Sequence, residues 1–137
     1  MTELAEIHVP EGTDVTLMAR VQTRTGTYPA QTDNDSYTAH LFDLSGADPT
    51  ADPLNATLVE ATVYPSATGT PTTSGAWVTD TTGYNFIYTL PGANIAEGGR
   101  TYRLEIVIDS SNVAGGGTDS GQIAFAALIH ALPLLVQ

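Results

Sequence analysis

The chain has 137 residues, with fifteen Asp and Glu against four arginines, no lysine, no cysteine and a net charge of −11. Four scattered arginines cannot neutralise a phosphate backbone, so nucleic acid is excluded as a partner, and anionic membranes with it. The absence of cysteine removes disulfides, thiolate chemistry and Cys-ligated zinc, and the length suits one domain that buries roughly two thirds of its unfolded surface.

The opening TELAEIHVPEGTD is acidic and polar and lacks the basic flank and apolar run of a signal peptide. It predicts synthesis in the cytoplasm without secretion, with residues 1–12 as an N-terminal arm. Val15, Leu17, Ala19 and Val21 then alternate with polar neighbours and predict a strand that ends at the turn signal Thr25-Gly26. Ser36 to Leu44 is the next expected strand. The breaker-rich SGADPTADPLN from Ser45 reads as a surface loop, followed by a strand over Thr57 to Tyr64. PSATGTPTTSGA from Pro65 is an exposed connection that leads to a strand around Trp77 and Val78. Tyr84, Phe86 and Tyr88 alternate with Asn85, Ile87 and Thr89, and Tyr102, Leu104, Ile106 and Ile108 alternate with Arg103, Glu105 and Val107. That period of two is the mark of half-buried strands. Gly115, Gly116 and Gly117 form a hairpin connection, and a final strand covers Ile123 to Ala131.

No window carries a clear helical period, so the fold class is all-β: an antiparallel sandwich of seven to eight strands in a single domain over residues 1–137. Val15, Leu17, Val21, Trp77, Phe86, Tyr102, Leu104, Ile106 and Ile108 are its expected core. The apolar C-terminal segment, 121–137, exceeds what one inner sheet face can absorb, since neighbours in a strand point to opposite faces. Pro133 removes a ladder donor, which is expected to end regular pairing in the sandwich or confine it to an edge. Phe125, Leu128, Ile129, Leu132, Leu134, Leu135 and Val136 are therefore the expected interface with another subunit. A membrane span needs about twenty apolar residues, and this segment is too short.

Chemistry-bearing constellations are sparse. His8, His40 and His130 sit on distant segments without neighbours at metal-ligand spacing, no G-x-S-x-G elbow occurs, and Asp33-Asn34-Asp35-Ser36 lacks the glycine and distal glutamate of an EF-hand, favouring a turn over calcium. The triple glycine has no following G-K-T and makes no phosphate loop. The expectation is a non-enzyme with no catalytic residue, metal or cofactor. Trp77 suits a core better than a sugar platform with Tyr84 and Tyr88.

The passage Gly99-Arg100-Thr101-Tyr102-Arg103-Leu104-Glu105-Ile106 resembles the turn-to-strand passage of immunoglobulin-like and fibronectin-like modules, in which a tyrosine hydroxyl ties the preceding corner. Tyr102 would be that residue. The succession DVTLMARV, YTAHLFDLSG, W-V-x-D-x-x-G-Y-N-F at Trp77 to Phe86 and GGRTYRLEI resembles small immunoglobulin-like virion proteins of tailed phages, over roughly Gly12 to Asp109. The resemblance implies a capsid decoration or cement subunit on the outer face of the shell, located in the virion, homo-oligomeric, with the major capsid protein or other virion proteins as partners. A baseplate or tail adaptor and a carbohydrate-binding module are the alternatives. The cysteine pair of antibody domains is missing, and the apolar tail is an addition.

Overall fold

The computed structural model describes residues 5–75, 77–113 and 120–135. It is mostly β, in two sheets. The strands are β1 (Ala5–Pro10), β2 (Val15–Ala19), β3 (Asn34–Asp43), β4 (Ala56–Thr57), β5 (Phe86–Leu90), β6 (Arg100–Ser110) and β7 (Gly121–Leu132), with one helical turn α1 (Glu60–Val63) and 3-10 turns at Gln31–Asp33 and Gly92–Ile95. One sheet has the order β1-β7-β6-β3-β4, and the other pairs β2 with β5.

The alternation in β6 fixes the interior. Leu104, Ile106 and Ile108 are fully buried, with Tyr102 nearly so. From β3 come Tyr37, Ala39 and Leu41, and from β7 Ala127, Ile129 and Ala131, all meeting Val15, Leu17, Phe86 and Leu90 of the second sheet in one core cluster that also holds Val21. Each large aliphatic side chain so buried contributes about 1.5–3 kcal/mol before the ordering cost. Trp77 is a correction: it lies outside this cluster, half-exposed in a loop, and Val78 beside it is 93% exposed. No strand forms there, because Asp80 organises a turn instead. Its Oδ1 accepts the N–H groups of Thr82 and Gly83, both at 3.0 Å, and the indole Nε1 donates to the Asp80 carbonyl at 3.1 Å.

Two other expectations change. The sheet is not wholly antiparallel: β1 runs parallel to β7, with Ile7 opposite Ile129 and Val9 opposite Ala131. Residues 5–10, read as part of an arm, are thus an edge strand whose alternation was too short to stand out. Of the segment Thr57 to Tyr64, only Thr57 is in a strand, at the end of β4. Glu60–Val63 forms the turn α1, which brings Val63 and the adjacent Tyr64 into the core at 3% and 0% exposure. The glycine run 115–117 lies outside the described residues.

Asn85, which alternates with Tyr84 and Phe86, is buried with them at 1% exposure. Its Oδ1 accepts the Val21 N–H at 2.6 Å, and its Nδ2 donates to the carbonyls of Val21 at 2.9 Å and Gly69 at 3.1 Å. It supplies a ladder partner just where β2 has ended. Replacing it, Asn85→Ala, leaves several buried backbone groups unpaired and is expected to cost about 3 kcal/mol. Urea denaturation measures this, and a loss below about 1 kcal/mol would show that the chain relaxes to satisfy those groups by another route.

Candidate functional site

The outer face of the five-stranded sheet has no layer packed on it among the described residues. Register lays its side chains in rows. Phe42, Arg103, Leu128 and Glu6 stand side by side across β3, β6, β7 and β1, and the next rows are His40, Glu105 and Ala126, then Thr38, Val107 and Ala124. Most of these residues are half-buried by their neighbours rather than exposed. The charged groups on this face are held in pairs. Arg103 Nε donates to Glu105 Oε1 at 2.6 Å, and His40 Nδ1 lies 2.6 Å from Asp52 Oδ2. Burial opposes the Asp52 charge, but the His40 ring and the N–H groups of Leu41 and Asn55 outweigh it and hold the carboxyl below the usual range. The face is mixed, with Phe42, Leu128 and Val107 standing among paired charges and an arginine, and aromatic rings and arginine are residue types enriched at protein interfaces.

The C-terminal segment divides between the two faces. Leu128 is half-buried on the outer face, Leu132 and Leu134 are exposed to 46% and 45%, and Leu135 to 98%. Ile129 and Phe125 are corrections to the expected interface. Ile129 is fully buried on the inner face, and Phe125 points the same way, its ring edge-on to Phe86 at 5.1 Å. Both follow from strand parity, which sends odd positions of β7 inward. Val136 lies outside the described residues. Beyond the strand the backbone is still held: the Leu134 N–H donates to Glu11 Oε1 at 3.2 Å, and the Glu11 N–H donates to the Leu132 carbonyl at 2.9 Å.

Two of the histidines expected to be apart are brought together. His8 and His130 are register partners in the parallel pair, their rings stacked at 4.5 Å and 15°. Glu6 stands beside them, its Oε1 3.5 Å from His130 Nε2, and His130 Nδ1 is 3.2 Å from Thr101 Oγ1. One ligand atom from each of Glu6, His8 and His130 lies within 4.8 Å of the others, a set able to hold a metal ion. The signal available in the sequence was the spacing Glu6-x-His8 on an alternating segment; its partnership with His130 depends on a strand pairing across most of the chain.

The remaining candidates disperse. Tyr84 is buried at 7% exposure and Tyr88 is half-buried, so Trp77, 5.7 Å from the Tyr84 ring, has no exposed aromatic partners for a flat sugar platform. Asp33 closes a turn, its Oδ2 accepting the Ala30 N–H at 3.0 Å. A groove of about 460 Å³ between α1 and β5 is lined by Leu58, Val59, Val63, Ile87 and Tyr88.

Strand parity makes neighbouring residues behave oppositely. Ile129→Ala is expected to destabilise by about 2–5 kcal/mol, whereas Leu128→Ala should cost about 1 kcal/mol or less. Thermal melts of both variants test this, and equal losses would contradict the face assignment. The depressed Asp52 carboxyl contributes stability above its unfolded pKa that is lost as pH falls through the folded value. Asp52→Asn should therefore flatten the acid limb of the stability–pH curve below about pH 4, and an unchanged limb would show that its partners hold the unfolded chain equally. No family model matches the chain, and neither a curated protein nor a solved structure does, so function is read from this surface itself.

Proposed function

We propose that the protein is a non-enzymatic structural subunit of a tailed-phage virion, an immunoglobulin-like module that decorates the capsid and docks through the outer face of its five-stranded sheet. The observation that carries the docking is the row Phe42, Arg103, Leu128 and Glu6, continued by exposed Leu132, Leu134 and Leu135 at the end of β7. Burying three or four such side chains supplies several kcal/mol of gross association energy, at about 1.5–3 kcal/mol each, against which ordering and association costs are set.

The immunoglobulin-like part of the reading draws on strand order. The neighbours β3, β6 and β7 match the C, F and G strands of such modules, and β2 with β5 match B and E. Between β5 and β6 lies the 3-10 turn Gly92–Ile95, followed by Tyr102 near the start of β6, whose hydroxyl is raised in pKa by burial. That is the position expected of the tyrosine in a tyrosine corner. The phage assignment draws on the W…GYNF…YRLEI succession, and the acidic surface favours the outside of a shell over contact with packaged DNA.

A baseplate or tail adaptor would use the same face, and position on the particle separates the two. Antibody against the chain should label intact tailed particles in a lysate, over the head for a decoration subunit. Label confined to the tail would replace the decoration reading with the adaptor, and unlabelled particles would overturn the virion assignment altogether. With the double variant Leu128→Glu/Leu132→Glu, which leaves the core intact, particle occupancy in competition with the unmodified protein should fall at least tenfold; full occupancy would place the interface elsewhere.

A further inference from the structure

We propose that Glu6, His8 and His130 form a binding site for a divalent transition metal of zinc type, joining the edge strand β1 to β7. The parallel register sets His8 directly opposite His130, and strand alternation places Glu6 two residues before His8 on the same outer face. One ligand atom from each residue already lies within 4.8 Å of the others. Around a zinc ion with ligands at about 2.0–2.2 Å, such atoms stand roughly 3.3–3.5 Å apart in a tetrahedral arrangement. Closing the difference takes at most about 1.5 Å, within reach of rotating the exposed side chains of Glu6 and His8.

The donor set selects the ion. Two imidazole nitrogens and one carboxylate suit Zn²⁺, Ni²⁺ or Cu²⁺ and are poor for Mg²⁺ and Ca²⁺, which require more oxygen ligands. His130 is also prepared for the role. Its Nδ1 lies 3.2 Å from Thr101 Oγ1 on β6, and its Nε2 faces Glu6 at 3.5 Å. Donation from Nδ1–H to the threonine hydroxyl leaves the Nε2 lone pair free for the ion and fixes the ring, the part that outer partners play at metal histidines. His8, by contrast, has neither ring nitrogen hydrogen-bonded to a described residue. It supplies a mobile ligand that turns out of the stack to meet the ion. Three protein ligands leave a fourth position for water or for a group of a docking partner.

The alternative is a stacked histidine pair that adorns an edge strand and binds nothing. The two part company in a zinc titration of the full-length, untagged, chelator-treated protein. Isothermal calorimetry with Zn²⁺ alone should give one ion per chain with a dissociation constant at or below the micromolar range, and the melting temperature should rise with Zn²⁺ and not with Mg²⁺. His8→Ala and His130→Ala should each weaken binding at least tenfold while keeping the circular dichroism of the parent, and His8→Gln serves if alanine disturbs β1. His40→Ala, on a histidine paired with Asp52, should leave zinc affinity unchanged. Absence of binding, equal binding by the His8→Ala/His130→Ala double variant, or a stoichiometry of one ion per two chains would each overturn the intrachain site.

Discussion

The structure depends on a buried amide. The two-stranded sheet β2-β5 is too small to stand alone, and no disulfide ties it to the larger one. The two sheets meet through the shared core, and Asn85 fixes the loops around the small sheet by hydrogen bonds. It completes the ladder beside Val21, reaches the Gly69 carbonyl, and donates to the Tyr64 hydroxyl at 3.2 Å, which in turn donates to the Pro29 carbonyl at 2.5 Å. Three stretches of the chain, 21–29, 64–69 and the one around Asn85, are thereby fixed around one point. Burial, joined by the nearby Asp33 charge and partly offset by an Asn34 hydrogen bond, pushes the Tyr64 hydroxyl up to about 12, so it remains a donor across the physiological range. Gly69, at φ +74°, completes the node: a Cβ there would collide with the Pro29 carbonyl, so the close approach requires glycine.

With the small sheet held in place, the long strands of the other acquire two unlike faces. The inner residues of β3, β6 and β7 close against Phe86, Leu90, Val15 and Leu17. The outer residues have no covering layer among the described residues, and apolar side chains such as Phe42 and Leu128 stand there between paired charges. An antiparallel sheet that packs on one side commonly presents a polar opposite face. Here the opposite face is mixed, and that departure is what supports a docking role.

The proposed metal site and the proposed docking face meet at Glu6, which shares a row with Leu128 and a ligand set with His130. A metal at this point would stiffen β1, an edge strand that ends at Pro10 and so offers no further N–H donor at its close. Binding and docking are then physically adjacent. In the β1-β7 register the His8–His130 pair stands two positions from the Pro10–Leu132 pair.

The sequence alone determined the all-β class, the positions of β2, β3, β5, β6 and β7 to within a few residues, and the core residues Val15, Leu17, Val21, Phe86, Tyr102, Leu104, Ile106 and Ile108, because alternation over several residues is a local property of the chain. It also placed an excess of apolar side chains at the C-terminal end. It assigned Trp77 to the core and gave no sign of the buried Asn85, since a buried amide is stable only where distant backbone groups converge on it, and an indole leaves the core once Asp80 bends its segment into a turn. Which leucines of β7 face outward was implicit in parity but needed the sheet to say which parity is inside. The pairing of β1 with β7, and with it the Glu6, His8 and His130 cluster, was decided by tertiary structure alone: a parallel ladder between segments more than a hundred residues apart leaves no periodic trace in either.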